Sequence, residues 1–259
     1  THYDFWTNKL RRPILFDAKA QYLLYGMAEE SVLALAHALK VGEGIEEVKG
    51  LSYIAKDKRE EYITLPSHEE CVADKLKFMD LFDHFYHNND PISAKGLCQL
   101  VDNRYLIQNP PAPYLNTEAM DAVAELDYER ALHPYHAPKG AVRCLETIKF
   151  SITTHQGCYG ECNFCAIGVH QGRTIRSRSE DSILREVKNF TEDKSFKGII
   201  SDVGGPTANM YGYECNKKIK KGTCEDKACM FPHMCSAMKI THKPQIDLLR
   251  KIRKVKGVR

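Results

Sequence analysis

Apolar residues near the start of the chain follow first the period of a strand and then that of a helix. Tyr22-Leu23-Leu24-Tyr25 predicts a short strand, and Glu29-Glu30-Ser31 begins a helix. Helical spacing continues at Val32, Leu35, Ala36 and Leu39. Gly50–Ala55 predicts the next strand. Because one such unit cannot cover both faces of a parallel sheet, residues 1–60 are expected to be the carboxyl-terminal part of a doubly wound α/β domain.

Residues 61–145 have the pattern of a helical connector with a proline-rich middle. Ser67 and Glu70 match a capping box, which predicts the start of a helix of about five turns. Its apolar stripe, which we expect to lie in the core, contains Val72, Leu76, Met79, Phe82 and Tyr86. The run Asn109–Pro113 is rich in proline and must be extended.

Residues 146–259 have a β-α-β pattern. The β-branched run Thr147–Thr154 predicts a strand, Ser179 begins a helix with an acidic first turn, and Lys197–Val203 predicts another strand. A helix is expected from Pro244 and a third strand at Val258. The loops that follow the first two strands should lie at the same edge of a sheet, where α/β proteins carry their chemistry.

Three cysteines lie on the loop after the first of these strands. Cys158, Cys162 and Cys165 have the spacing C-x3-C-x2-C. Three thiolates without an evident fourth ligand are typical of a metal centre that keeps one position open, either a zinc site or a cubane iron–sulfur cluster. Half of a structural zinc knuckle and ordinary buried thiols are the alternatives.

This loop resembles the signature of the radical S-adenosylmethionine (SAM) enzymes, because Phe164 completes the form C-x3-C-x-aromatic-C. The phrases His-Gln-Gly-Arg at 170–173 and Ser-Arg-Ser at 177–179 extend the resemblance to the YgiQ-type members. It implies a partial, TIM-like (β/α) barrel in residues 146–259. The three cysteines would hold a [4Fe-4S] cluster whose open iron binds SAM, and the backbone near Phe164 would face the adenine.

The resemblance also implies a reductant such as flavodoxin or ferredoxin as a partner. Before the barrel it implies a domain similar to cobalamin-binding folds, although the sequence lacks the Asp-x-His-x-x-Gly motif of cobalamin binding. Such a barrel has six β/α units, whereas only two and the start of a strand follow residue 146. We therefore expect this chain to be a piece of a longer protein, without the barrel strands that would follow Arg259.

Gly204 and Gly205 follow the second strand of the barrel pattern. Glycine lets backbone carbonyls approach a ligand closely, and the ammonium group of SAM needs such acceptors. The resemblance implies this role, which a Gly-Gly-Glu motif performs in the radical SAM family. Since Pro206 replaces the acidic residue here, only the two glycines carry over. An ordinary glycine turn is the alternative.

Arg173, Arg176 and Arg178 form a second candidate group for binding SAM. A guanidinium group can orient a carboxylate through two parallel hydrogen bonds. Arg178 is the first choice, because the Ser-Arg phrase is the part shared with the family. A solvated charge at the start of a helix is the alternative for each arginine.

Residues 209–240 form an insertion that contains Cys215, Cys224, Cys229 and Cys235. Four thiols are too many for ordinary core use in a loop rich in lysine and glycine. Their spacing is looser than the paired cysteines of a zinc ribbon, so it does not select a metal. We predict a second metal site, either an iron–sulfur cluster or zinc, and a redox disulfide remains open.

Composition restricts the classes of protein that fit. The 259 residues are 43% hydrophobic and 27% charged, which is typical of a soluble globular chain. No apolar run approaches a membrane span and the start does not resemble a secretory signal, so we predict a cytoplasmic protein with no membrane partner. The formal net charge of +3 neither requires nor excludes nucleic acid.

The sequence thus predicts a radical SAM enzyme of the YgiQ type, whose reaction, substrate and catalytic side chains are unassigned. One alternative is a radical methylthiotransferase acting on tRNA or a protein, since the Gly-Arg and Ser-Arg phrases and the extra thiols also suit that class. The other is a non-catalytic zinc-binding or interaction module.

Overall fold

The computed structural model describes residues 1–206, 208–225 and 228–259. These residues divide into two compact units. The first contains residues 1–114, 169–172 and 217–225, and the second contains 115–168, 173–216 and 228–259. The segment 61–145, predicted as one connector, is therefore shared between the units. The division into domains 1–60, 61–145 and 146–259 stays a prediction.

The first unit is built on eleven helices and strands of the described residues. In chain order these are β1 (His2–Asp4), β2 (Lys9–Arg11), α1 (Ile14–Asp17), β3 (Tyr22–Leu24), α2 (Glu29–Val41), β4 (Leu51–Ala55), β5 (Ile63–Leu65), α3 (His68–Ala73), α4 (Lys75–His87), β6 (Leu97–Val101) and β7 (Arg104–Gln108). The predicted elements at Tyr22, Glu29 and Leu51 are confirmed.

The central sheet of the first unit is mixed, which corrects the prediction of a doubly wound parallel domain. Its strand order is β3-β4-β7-β6-β5, and only the β5–β6 pair is parallel. The strands β6 and β7 form a hairpin that turns at Asp102, whose φ is 53°. This hairpin comes from the segment that was predicted to be helical. It places β7 antiparallel to both β6 and β4, so the sheet is not parallel throughout.

The predicted five-turn helix is two helices, α3 and α4, separated at Asp74. The capping box is confirmed, since Glu70 N–H donates to Ser67 Oγ at 3.1 Å and Ser67 N–H donates to a Glu70 carboxylate oxygen at 2.8 Å. The expected core stripe is wrong for its first four residues, which are more than half exposed. The extended backbone at Asp74 interrupts the helical period, and α4 buries Leu81 instead.

The second unit contains most of the elements from residue 115 onwards. These are α5 (Thr117–Ala124), α6 (Arg143–Ile148), β8 (Ser151–Thr153), β9 (His155–Gln156), β10 (Arg176–Ser177), α8 (Glu180–Glu192), β11 (Asp202–Gly204) and α10 (Lys243–Ile252). Two short helices, α7 (Ile167–His170) and α9 (Asn216–Lys221), lie where the chain passes from one unit to the other.

A β-α-β unit forms the core of the second unit, as the pattern predicted. The strands β8 and β11 pair in parallel, with Ile152 opposite Val203, and α8 connects them. Ser179 begins α8, and its side chain accepts the Ser182 N–H at 3.1 Å. Apolar residues of α8 and α10 pack in one buried cluster with Ile152. Both strands are shorter than predicted, because residues 143–148 are helical and β11 begins only at Asp202.

The described residues of this unit form a partial α/β arrangement and no closed barrel. Val258, where a third strand was expected, packs against the same core without being part of a strand. Within the described part of the chain, no helix combines the length and the apolar composition that crossing a bilayer requires.

Candidate functional site

The cysteine loop follows the carboxyl end of β8 and the short strand β9. Cys158 is buried, Cys165 is half-buried and Cys162 is exposed. Gly157 and Glu161 both have left-handed backbone conformations, with φ values of 82° and 49°. Left-handed residues reverse the direction of the backbone, so the loop turns before and after its first cysteine. Such a conformation is rare for a non-glycine residue such as Glu161.

The backbone of Gly160 lies between two of the sulfur atoms. Its N–H donates to Cys158 Sγ at 3.3 Å. A Cβ atom added to Gly160 would lie 3.3 Å from Cys158 Sγ and 3.5 Å from Cys162 Sγ. The two sulfurs therefore face one small space, which a side chain at position 160 would fill. Two cysteine sulfurs that face one space fit a thiolate-ligated centre.

The third sulfur does not complete a ligand set in this arrangement. Cys165 N–H donates to the Cys162 carbonyl at 2.9 Å, which makes a tight turn between these cysteines. Among residues 1–206, 208–225 and 228–259, no three side chains of His, Cys, Asp or Glu are arranged to hold a metal ion. Phe164 is 93% exposed. The assignments of Cys165 as a ligand and of Phe164 beside adenine stay predictions.

Gly204 and Gly205 lie at the end of β11, the strand that pairs with β8. Gly204 is opposite Thr153, and its carbonyl accepts the Thr154 N–H at 2.7 Å. One lone pair of that oxygen is therefore used by the sheet. A Cβ atom at Gly204 would lie 3.1 Å from Asn209 Oδ1, which is tighter than ordinary van der Waals contact. The turn thus begins at the carboxyl end of a parallel strand, beside the strand that leads to the cysteines.

His155 occupies the space beside the second glycine, a feature that sequence reasoning missed. A Cβ atom at Gly205 would lie only 2.1 Å from His155 Nε2. The imidazole is fully buried, and its Nδ1 shares a hydrogen bond with Thr154 Oγ1 at 2.9 Å. Burial lowers the pKa of His155. The signal available in the sequence is a histidine that directly follows the β-branched run Thr147–Thr154.

Arg178, the arginine proposed for SAM, is 5% exposed and makes contacts within the protein. Its Nη1 donates to the Thr153 carbonyl at 3.0 Å and to a Glu186 carboxylate oxygen at 2.6 Å. Its Nη2 donates to Ser182 Oγ at 2.9 Å. These partners lie on β8 and α8, so the guanidinium joins the strand to the helix. Its assignment to cofactor binding stays a prediction.

A second arginine contacts the same carboxylate. Arg130 pairs with Glu186, and its Nη1 donates to the Lys149 carbonyl at 3.3 Å. Lys149 lies just before β8 and Thr153 is its last residue, so the two arginines hydrogen-bond to backbone carbonyls near both ends of this short strand. Arg176 also binds backbone, since its Nε donates to the Leu115 carbonyl at 2.9 Å.

The second cysteine group is divided between the two units. Cys215 and Cys229 are buried in one apolar cluster of the second unit, against which Cys235 packs. Cys158 belongs to the same cluster, which also contains Tyr159, whose pKa burial raises to about 12. Cys224 belongs to the first unit. Three of the four predicted thiols thus share one apolar environment, and a metal at this group stays a prediction.

Comparison with known proteins identifies the family. A family model described as Radical SAM N-terminal matches residues 1–151. A UPF0313 protein of Fusobacterium nucleatum subsp. nucleatum is 57% identical over 259 residues, which is 100% of this chain and 46% of the relative. A UPF0313 protein of Clostridium botulinum strain Okra is 44% identical over 263 residues, which is 41% of its length. One of Thermotoga maritima is 42% identical over 261 residues, or 46% of its length. The chain spans less than half the length of these curated relatives.

Proposed function

The chain belongs to the radical SAM N-terminal family, as its YgiQ-type resemblance predicted, and we propose that it is part of an enzyme that cleaves SAM reductively. The observation that carries the proposal is the pair of sulfurs, Cys158 and Cys162, which face one space around Gly160 after a parallel strand. With Cys165 they would hold a [4Fe-4S] cluster. The substrate and the final reaction are unassigned.

The proposed set of three cysteine ligands would leave one iron of the cluster without a protein ligand. Three thiolates, from Cys158, Cys162 and Cys165, would hold three irons of a cubane cluster, and the fourth iron would be left for SAM. When bound, a cluster of this kind supplies one electron for cleavage of a carbon–sulfur bond of SAM, which gives methionine and a 5'-deoxyadenosyl radical. A cytoplasmic reductant such as flavodoxin or ferredoxin would provide that electron.

The residues around the loop would bind SAM and exclude water. The turn at Gly204 and Gly205 would present backbone carbonyls to the SAM ammonium group, and the exposed Phe164 would lie beside the adenine. Cys158, the buried cysteine of the loop, shares an apolar cluster with Tyr159 and Ile175. These side chains would keep water away from its sulfur, and this exclusion would strengthen electrostatic interactions there.

Production of 5'-deoxyadenosine tests the proposal. The whole protein is reconstituted with iron and sulfide without oxygen, mixed with SAM and dithionite, and assayed by liquid chromatography. A variant with Ala at positions 158, 162 and 165 should lose bound iron and sulfide and make no product. Cys144→Ala, which removes an exposed cysteine outside the loop, is the matched control and should retain both. Equal product from the triple variant and the wild type would contradict the proposal.

One observation favours a second candidate, a zinc-binding module. Cys158 shares its apolar cluster with Cys215 and Cys229, and clustered thiols also suit structural zinc. Elemental analysis of protein purified without oxygen separates the two functions. Zinc in both cysteine groups, with neither iron nor sulfide, would support the module and exclude the radical enzyme.

A further inference from the structure

We propose that His155 is the positioning residue of the Gly204–Gly205 turn, because its ring fills the space that a side chain at position 205 would need. The ring thereby fixes the turn at which SAM is proposed to bind. This inference rests on the proposed function for the identity of the ligand, while the packing of the ring against the turn stands on the geometry alone.

The space beside Gly205, rather than its backbone conformation, is what requires glycine. Positive φ angles occur at several glycines of the chain, but Gly204 and Gly205 are not among them. A Cβ atom at Gly205 would lie 2.1 Å from Nε2, 2.2 Å from Cε1 and 2.6 Å from Cδ2 of His155. Real Cβ atoms essentially never approach other heavy atoms this closely. Either the ring or the turn would have to move.

The ring is held so that it cannot easily move. Thr154, the preceding residue, is fixed on both sides, since its N–H donates to the Gly204 carbonyl at 2.7 Å and its carbonyl accepts the Arg178 N–H at 3.0 Å. The Thr154 hydroxyl then contacts His155 Nδ1 at 2.9 Å. His155 itself pairs with Ser177 in the β9–β10 ladder. Backbone and side chain together therefore fix the imidazole against the turn.

The far edge of the ring is polar and faces the turn. Nε2 is completely buried and makes no hydrogen bond of normal geometry to a described residue. The backbone of Ala208, just beyond the turn, is near enough to oppose in part the lowering of the His155 pKa by burial. A buried polar atom without a good hydrogen bond costs free energy. The contacts of Thr154 and the β9–β10 ladder must therefore hold the ring in place against the turn.

A double-mutant cycle tests this pairing. The whole protein is prepared as wild type, Gly205→Ala, His155→Ala and the double variant. Gly168→Ala is the matched control, because a Cβ atom there would meet only Arg173 Cγ at 3.8 Å. Two quantities are measured: the dissociation constant of SAM after reconstitution, by equilibrium dialysis with labelled SAM, and the thermal unfolding of the metal-free protein. Iron and sulfide per chain are measured in every variant.

Gly205→Ala should weaken SAM binding by about tenfold or more, since a displaced turn would lose a hydrogen bond to the charged ammonium group and such a bond changes affinity by about this factor. It should also lower the unfolding temperature, while bound iron stays near the wild-type value and Gly168→Ala changes little. In the His155→Ala background, adding Gly205→Ala should reduce SAM affinity and the unfolding temperature much less, because the ring that the new Cβ atom would meet is absent. An equal cost in both backgrounds overturns the inference, as does a Gly205→Ala variant that matches the wild type.

The two proposals fail in different ways. If the reconstituted wild type does not bind SAM, the proposed function is wrong, but thermal unfolding of the four proteins still tests the contact between His155 and Gly205. If the wild type binds SAM and the cycle shows no coupling, the proposed function stands and the role of His155 is wrong.

Discussion

Replacing Glu186 with Gln should destabilise the second unit strongly, because it removes the charge that two arginines share. Glu186 accepts from Arg178 Nη1 at 2.6 Å and also pairs with Arg130. The side chains of Glu186 and Arg178 are 11% and 5% exposed, whereas that of Arg130 is 27% exposed. The substitution keeps the shape of the side chain and leaves the buried Arg178 without its counter-charge.

The expected cost follows from this burial. Removing one partner of a buried ion pair costs about 3–5 kcal/mol, because the other charge remains buried and unpaired. Gln keeps one oxygen that can accept from Arg178, and Arg130 can turn towards solvent, so the lower end applies. We expect the free energy of unfolding to fall by about 3 kcal/mol, which changes the folding equilibrium by about a hundredfold.

The assay is urea denaturation of the metal-free whole protein, followed by circular dichroism under reducing conditions. Glu125→Gln is the matched control, because it makes the same chemical change in the Arg185–Glu125 pair, whose side chains are 53% and 40% exposed. An exposed pair of this kind contributes at most about 1 kcal/mol. If both variants lower the midpoint equally, with unchanged denaturant slopes, the reasoning from burial is refuted.

Arg178→Lys then tests the two roles suggested for that arginine. Lysine keeps the charge but cannot reach Thr153, Glu186 and Ser182 at once, since it lacks the planar fork. If Arg178 joins β8 to α8, this variant should lose stability in the metal-free protein. If Arg178 instead orients the SAM carboxylate, the variant should bind SAM more weakly with the same unfolding midpoint.

Three further predictions follow from buried groups. Burial lowers the His155 pKa from 6.5, so below that pH the unfolded chain binds a proton that the folded protein does not. Stability should therefore fall on acidification below 6.5, by at most about 1.4 kcal/mol per pH unit, and His155→Gln should remove this part of the urea midpoint's pH dependence. Asp90 is buried and accepts hydrogen bonds from Thr223 N–H at 3.1 Å and from Thr223 Oγ1 at 2.7 Å. Because Asp90→Asn weakens these bonds just after α9, it should speed tryptic cleavage at the lysines of that helix. Cys229→Ser should lower metal content measured by mass spectrometry more than Cys224→Ser does, because only Cys229 lies in the shared apolar cluster.

Local patterns predicted the fold where each element is stabilised by its own residues. Ser179 caps α8 through its own side chain, and the acidic residues after it are visible in the sequence. The hairpin at Asp102 was missed, although two apolar runs flank a two-residue turn there. Its strands, β6 and β7, are defined by pairing with residues far away in the chain, such as Tyr53 opposite Ile107. The hydrophobic periodicity of one segment contains no information about the distant strands with which it pairs.

The cysteine loop could be predicted because metal ligation selects residue types and short spacings directly. The glycine pair is different, since a residue without a side chain fits a turn, a close ligand or a neighbouring ring equally well. The sequence favoured the ligand, and the structure adds His155, which lies 50 residues earlier in the chain, as a second reason for Gly205. The ligand and the His155 ring can both require glycine at position 205 if the ring shapes the turn that the ligand contacts. The Gly205→Ala penalty should then depend on whether residue 155 carries its ring, whereas a requirement set only by SAM would leave that penalty unchanged.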